Sequence, residues 1–439
     1  MKQLVAYSYG QKIGTLSQSD AGSLSFQYFS GVSDALQLSV AMPVREAPYS
    51  AKVTRAFIEG LVPEGYGVRE ALGREFGVSP RNPFALLEHI GADCAGAVQF
   101  FDPKSEDPSL NLTGELISCD EETIANRLRS LADSGQSWIL PRERWSLAGA
   151  QSKFALRQEN GGWFEARGAE PTTHIFKPGI HTLKDQALNE HLCLKALGEV
   201  GLAVASTEYR TFDGVPAIIV ERYDRLRLGD GQVMRLHQED FCQATSTLPQ
   251  NKYESNKGPS ALKIIEVLRL NGAADSEIEK FVQGLIGNYL LGAPDAHAKN
   301  YSLMHLPGGR LVLAPFYDVA SALPYEPGGS EFGYSENDGL PGVSDELRKA
   351  AMAIGGERRF GKISRRHWER FAAAARIEAD WVVATVREIA ERLPVALEAV
   401  FTAESKAIGN SALPERLYPE VKHLSDVTLT LLGRGGTRS

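Results

Sequence analysis

Cysteine is scarce in this chain, with 4 in 439 residues (Cys94, Cys119, Cys193 and Cys242), scattered with no CxxC pair and no histidine at metal-finger spacing. That excludes a disulfide scaffold and a zinc finger, and predicts four reduced core thiols. Long apolar runs are missing as well. No stretch reaches the roughly 18 residues that a membrane helix needs, and the opening MKQLVAYSYGQKIG has no segment suited to a signal peptide, so the expectation is a soluble cytoplasmic protein. Excess positive charge is also lacking. A net charge of -8 and a pI near 5.7 argue against a surface that binds nucleic acid throughout, while leaving room for a local basic patch. Internal repeats and low-complexity tracts are absent.

What is present supports a sizeable core. With 43% hydrophobic and 23% charged residues the chain is not disordered, and its length predicts two or three domains or lobes. Residues 2–30 alternate apolar and polar around Tyr9-Gly10 and Ala21-Gly22, as short antiparallel strands do. Helical patterns follow near 52–61, 66–76 and 82–90, then a polar linker at 103–111. Asp120 reads as the N-cap of a helix to about Leu131. Strands KFALRQ and WFEAR meet across Asn160-Gly161, THIFKP follows, and a helix runs from Asp185 to Val200. Asp213-Gly214 marks another hairpin. Beyond about Gln238 the pattern is helical at 261–270, 276–291 and 379–403, with SLMHL and RLVLAPF expected as the sole β interruption.

The chemistry concentrates in LGAPDAHAKNYSLMHLPGGRLVLAPFYDVASA, residues 291–322. A polar DAHAKN between an apolar helix and an apolar strand is hard to explain as packing, since unpartnered buried carboxylates cost several kcal/mol. Phosphoryl transfer needs an aspartate to accept the acceptor hydroxyl's proton and oxygen ligands for a metal that bridges the phosphates. Asp295 fits the first role, and Asn300, five positions on, and Asp318, beyond the hairpin, fit the second. His297 and Lys299 are candidates for steadying the loop or the transferring phosphate, His297 equally for a structural hydrogen bond.

Three further elements carry a sharp and a bland reading. Lys177 ends THIFKP, either reaching nucleotide phosphates with a carboxylate such as Glu190 behind it or standing in solvent. WSLAGAQSK, residues 145–153, has small residues, Ala148, Gly149 and Ala150, that let backbone N–H groups approach phosphates, with Gln151 and Lys153 beside them as further candidates. It lacks GxGxxG and GxxxxGK[ST], so a plain turn is the alternative. The backbone of Glu221, Arg222 and Tyr223 in VERYDR could offer groups to an adenine edge, or simply end an amphipathic strand.

In order along the chain, SLAGAQSK, PTTHIFKP, NEHLCLKALGEVGL, VERYDR, LHQEDFCQATSTLPQNKYE, DAHAKN and FYDVASA resemble the HipA family of bacterial serine/threonine kinases, and LVPEG with NPFALLEHIGADCAGAVQF resembles its N-terminal part. The resemblance spans nearly the whole chain. It implies an α/β, two-lobed protein-kinase-like fold, with an N-terminal β-plus-helix subdomain at 1–105, a β-rich lobe at 112–235 and a helical lobe at 236–439. It implies ATP and Mg2+ as cofactors, Asp295 as the catalytic aspartate, Asn300 and Asp318 as metal ligands, Lys177 on the nucleotide and Glu221–Tyr223 at the adenine. Ser146 matches the family's regulatory serine, whose autophosphorylation ejects the phosphate loop. Relative to ordinary protein kinases there is no HRD before the loop, and Val319 follows Asp318 where DFG has phenylalanine.

The resemblance also implies growth-arrest toxicity, a HipB-like helix-turn-helix antitoxin as partner, operator DNA reached through that complex, and a protein substrate such as glutamyl-tRNA synthetase. Residues 348–366 hold seven Lys or Arg against one acid, Glu357. Arg358, Arg359, Lys362, Arg365 and Arg366 are therefore candidate DNA contacts, against the default of a solvated basic face. A small-molecule or lipid kinase and a non-catalytic transcriptional co-regulator are the competing functions.

Overall fold

The computed structural model describes residues 1–104, 114–134, 145–229, 231–329, 333–334 and 341–433. Contacts divide the chain into two compact units. The first comprises Met1–Pro178, Thr211–Gln250 and Ser302–Ala314, the second Gly179–Arg210, Asn251–Tyr301 and Pro315–Ser439.

The first unit opens with an antiparallel sheet ordered Leu24–Tyr28, Gln11–Gln18, Lys2–Ser8, Val98–Phe101. Alternation along these strands buries Leu4, Ala6, Ile13, Leu16, Leu24 and Phe26. The helices Ala51–Glu59, Tyr66–Phe76 and Pro83–Ile90 follow the expected stripes. Asn82 caps the third by accepting the Ala85 N–H at 3.3 Å. A second sheet runs Glu115–Cys119, Gly162–Arg167, Phe154–Glu159, His174–Lys177, Val215–Glu221, with Thr207–Phe212 following at the edge through the Asp213-Gly214 turn. Both hairpin turns, Asn160-Gly161 and Asp213-Gly214, have positive φ at each central residue, which matches strand twist. Asp120 caps the helix Glu121–Ser134 through the Thr123 N–H at 2.8 Å, as expected.

One apolar cluster runs from Leu4, Phe26, Phe57, Leu87 and Phe100 through Ile124 and Leu128 to Phe154, Phe176 and Ile219. The boundary read at residue 105 therefore does not separate two cores. Nor does the one at 235 follow the contacts, because Ser302–Leu306 pairs with His237–Asp240 and carries the hairpin into the first unit.

The second unit is built on the 25-residue helix Ala379–Ala403, which packs against the helices Gln186–Glu199, Asp275–Leu290, Arg365–Ala375 and Leu413–Gly433. Its stripe Val382, Val386, Ile389, Leu393, Leu397 and Val400 is buried, each such side chain contributing roughly 1.5–3 kcal/mol. The 302–313 hairpin is not the sole β interruption. Glu326–Pro327 and Gly333–Tyr334 flank Pro341–Val343, and Lys349–Ile354 pairs with Glu357–Arg359. KAAMAI escapes a period-two reading because Ala350, Ala351 and Met352 are buried in succession. Among the described residues no helix is long and apolar enough to cross a membrane.

Candidate functional site

Asp275–Leu290 delivers the DAHAKN loop, which closes on itself in the second unit. The His297 N–H donates to the Asp295 carbonyl at 2.8 Å, the Asn300 N–H to the His297 carbonyl at 2.9 Å, and the Asn300 Nδ2 to the Asp295 carbonyl at 2.6 Å. Half of the Asp295 side chain is exposed, whereas His297 keeps only 3%. The Tyr253 hydroxyl donates to Asp295 Oδ1, and His297 Nε2 lies 3.4 Å from the same oxygen. Tyr253 meets the His297 ring edge-on at 4.7 Å, and the Ala298 N–H donates to the Lys252 carbonyl at 3.4 Å. A carboxylate steered by a phenol and a buried imidazole, with its reactive edge in solvent, has the arrangement of a general base. Lys299 is buried, and its carbonyl accepts the Tyr317 hydroxyl at 2.7 Å, which ties the loop to the segment bearing Asp318.

That segment is seated by absence of bulk. A Cβ on Gly284 would lie 2.1 Å from the Phe316 ring, so only glycine at this point of the helix admits Phe316. Phe316 also donates its N–H to the Ala203 carbonyl and accepts the Ala205 N–H, both at 2.8 Å. Two residues on, Asp318 sits at φ +59, a conformation that aspartate tolerates better than most residues. With the Asn300 amide nitrogen donating to the Asp295 carbonyl, its amide oxygen is the candidate ligand atom. An amide oxygen with a carboxylate suits Mg2+, which completes its shell with water and phosphate. Among the described residues no group of three or more His, Cys, Asp or Glu is placed to hold a metal.

The first unit holds the phosphate-loop, lysine and hinge candidates. In the 145–153 loop the Ser146 hydroxyl is buried and donates to the Leu61 carbonyl at 2.6 Å, while its N–H donates to the Asp93 carbonyl at 2.9 Å. The Gly149 carbonyl accepts the Glu64 N–H at 3.1 Å. Gly149 has φ +106, and a Cβ there would lie 2.6 Å from Lys153 Nζ, so an ammonium stands directly over bare backbone. A cation over side-chain-free backbone is a feature that an anion site can use. Ala148 and Gln151 are half-buried and Ala150 is exposed. Lys177 ends its strand buried, paired in register with Ile218, and Glu190 is fully buried on its helix in the second unit.

The VERYDR segment needs one correction. The Arg222 backbone, expected to be open to an adenine edge, is already engaged: its N–H donates to the Thr173 carbonyl at 2.9 Å and its carbonyl accepts the Arg225 N–H at 3.2 Å. Its guanidinium is buried against Asp224 at 2.9 Å and Asp93 at 3.3 Å. Burial opposes its charge, but the two carboxylates outweigh this and raise its pKa. The alternation of a strand end gives no sign of partners so far away in sequence. Glu221 and Tyr223 remain as the hinge candidates.

The basic cluster is less bare than its sequence window, because Glu346 and Glu369 from outside 348–366 join Glu357 in pairing with it. Arg358 donates to the Ala350 carbonyl at 2.7 Å and approaches Glu346, Arg359 pairs with Glu357, and Arg365 pairs with Glu369 at 2.7 Å. Lys362 and Arg366 are exposed and have no ion-pair partner among the described residues; Arg370, one turn on, is exposed likewise. Sequence reasoning missed Tyr253 and Tyr317 as supports of the site, which no local spacing marks.

The family model described as HipA-like C-terminal domain matches residues 145–397, and that described as HipA N-terminal domain matches residues 4–101. Y4mE of Sinorhizobium fredii, which carries a kinase name, is 34% identical over 379 residues, 83% of this chain and 84% of that protein. The serine/threonine-protein kinase toxin HipA of Shewanella oneidensis is 28% identical over 381 residues, 83% of this chain and 80% of its own. A chain of the solved S. oneidensis complex of HipA, HipB and operator DNA shares the fold, with a TM-score of 0.80, 24% identity and 98% coverage of both chains.

Proposed function

Because the chain belongs to the HipA family, we propose that it is a kinase of the toxin type, using ATP and Mg2+ to phosphorylate a serine or threonine of a cellular protein. The observation that carries this is Asp295, half-exposed and fixed by the Tyr253 hydroxyl and His297 within a self-closed loop. Asp295 orients the acceptor hydroxyl and takes its proton. Lys177, Lys153 and the backbone of 148–151 hold the phosphates, and Glu221 and Tyr223 face the adenine. Asn300 and Asp318 would hold Mg2+, which when bound offsets the charge that develops on the phosphoryl oxygens. By analogy with the S. oneidensis complex, the partner is a HipB-like antitoxin that brings the kinase to operator DNA. An aminoacyl-tRNA synthetase is the kind of substrate that suits growth arrest.

Ser146 is the proposed site of self-inactivation. Its hydroxyl is bonded to the Leu61 carbonyl and buried, so phosphorylation requires the loop to leave this seat, and a phosphate of charge about -1.5 to -2 would prevent its return. Incubation with labelled ATP and Mg2+ should label Ser146 in the native chain and in neither Asp295→Asn nor Ser146→Ala. Of the two variants, only Ser146→Ala should label an external protein. Normal labelling of Asp295→Asn would show the catalytic assignment to be wrong.

A further inference from the structure

We propose that Asp93 is a positioning residue that fixes the phosphate loop and the hinge segment to each other within the first unit. The proposal rests on the kinase reading for what those two segments do. Asp93 is 1% exposed. Its Oδ1 accepts Arg225 Nη2 at 2.8 Å and Arg235 Nε at 2.9 Å, and its Oδ2 accepts the Thr172 N–H at 3.0 Å, the Thr172 hydroxyl at 2.7 Å and Arg222 Nη1 at 3.3 Å. The same residue's carbonyl accepts the Ser146 N–H, and Asp93 bridges Trp145. One residue thus holds the start of the loop by its backbone and the VERYDR segment by its side chain.

Asp224 completes the cluster. It takes Arg222 at 2.9 Å, Arg225 at 3.0 Å and the Gly96 N–H at 2.7 Å, while Arg222 and Arg225 both donate to the Cys94 carbonyl. Burial pushes the Asp93 carboxyl up, but Arg225, Arg235 and Arg222 outweigh it and hold it below the ordinary range. Three guanidiniums and two carboxylates are a costly way to fill a core, since apolar residues of similar volume often stabilise more. What such a network supplies is fixed geometry, and here it is spent on the two segments that flank the nucleotide in the proposed reaction.

The test uses the full chain with Asp93→Asn, Arg235→Gln and Arg235→Lys. Arg235 sits at the rim of the network with its side chain 10% exposed, so its variants carry the test if Asp93→Asn does not fold. Affinity for a fluorescent ATP analogue, KM for ATP and kcat are measured together with hydrogen exchange of individual amides. Arg235→Gln should raise Kd and KM on the order of tenfold, the scale of one charge-assisted hydrogen bond, with kcat changed less than about threefold. Exchange should quicken at the Ser146 and Arg222 amides and not in Lys2–Ser8, and Arg235→Lys should recover part of both effects. Unchanged KM and Kd, or exchange that quickens throughout the unit, would overturn the proposal in favour of a purely structural network. A native chain that binds the analogue without turning ATP over would sink the kinase reading alone, with Kd still deciding the role of Asp93. One that binds no nucleotide would sink both.

Discussion

Asp295 is held in part by a group that its own loop does not contain, the phenol of Tyr253, and that group is the one most open to trial. Removing that hydroxyl takes one hydrogen bond from a charged acceptor, worth about 1.5–3 kcal/mol. Tyr253→Phe is therefore expected to lower kcat roughly tenfold or more with little change in melting temperature, as steady-state kinetics and thermal unfolding would show. Titration gives a second residue-scale expectation. Burial, reinforced by Arg227, brings His174 down to about 4, and burial with the neighbouring His305 brings His237 down to about 3. His237 donates from Nε2 to the Leu38 carbonyl while Nδ1 faces the Ala97 N–H, so a second ring proton would oppose a donor. In the acid range the unfolded chain binds protons at these rings that the folded chain refuses, so their stabilisation is present above about pH 6.5 and is lost as pH falls toward 4. Glu170 and Glu254, raised by burial, act in the opposite sense within the carboxylate range. The urea midpoint should fall already between pH 7 and 5, and a flat profile there would refute the assignment.

The helix Asp275–Leu290 works at the scale of an element, since it both feeds the DAHAKN loop and seats Phe316 against Gly284. Gly284→Ala forces a methyl into the ring's place, a strain of roughly 1–3 kcal/mol, and should shift Asp318 along with Phe316. Lower melting temperature together with lower kcat is expected, whereas a fall in stability with full kcat would mean that Phe316 does not set the position of Asp318. The stripe that makes this helix was plain in the sequence, as were DAHAKN and the 302–313 hairpin. The partnership of Gly284 with Phe316 was not, because a glycine in a helix says only that bulk is unwelcome, and the reason lies 32 residues away. KAAMAI failed as a strand signal for a related reason. Burial on both faces erases alternation, and its alanines suit a helix equally.

At the scale of the molecule, the apolar cluster from Leu4 to Ile219 makes the N-terminal 104 residues part of the β-rich unit's core. A chain beginning at residue 112 would remove much of this cluster and the Leu61 and Asp93 carbonyls that hold Ser146, so it is expected to be insoluble or to lose cooperative unfolding, as sedimentation and circular dichroism would reveal. If the proposed antitoxin complex forms on operator DNA, Lys362→Ala and Arg366→Ala should each weaken it and reduce the dependence on log salt by about 1, read by titration at several ionic strengths. Arg359→Ala should matter less, since Glu357 already holds that guanidinium. The sequence by itself determined the family and most element positions, because stripes, caps and hairpin turns are local and DAHAKN with FYD is a compact signature. It also marked Asp295, Asn300 and Asp318 as residues to watch, and the family resemblance added Ser146. Only the tertiary structure decided what those residues lean on: Tyr253 on Asp295, Leu61 and Asp93 on Ser146, and Asp93 with Asp224 on Arg222. Such contacts join residues far apart in sequence through burial and charge, and no short-range pattern encodes them.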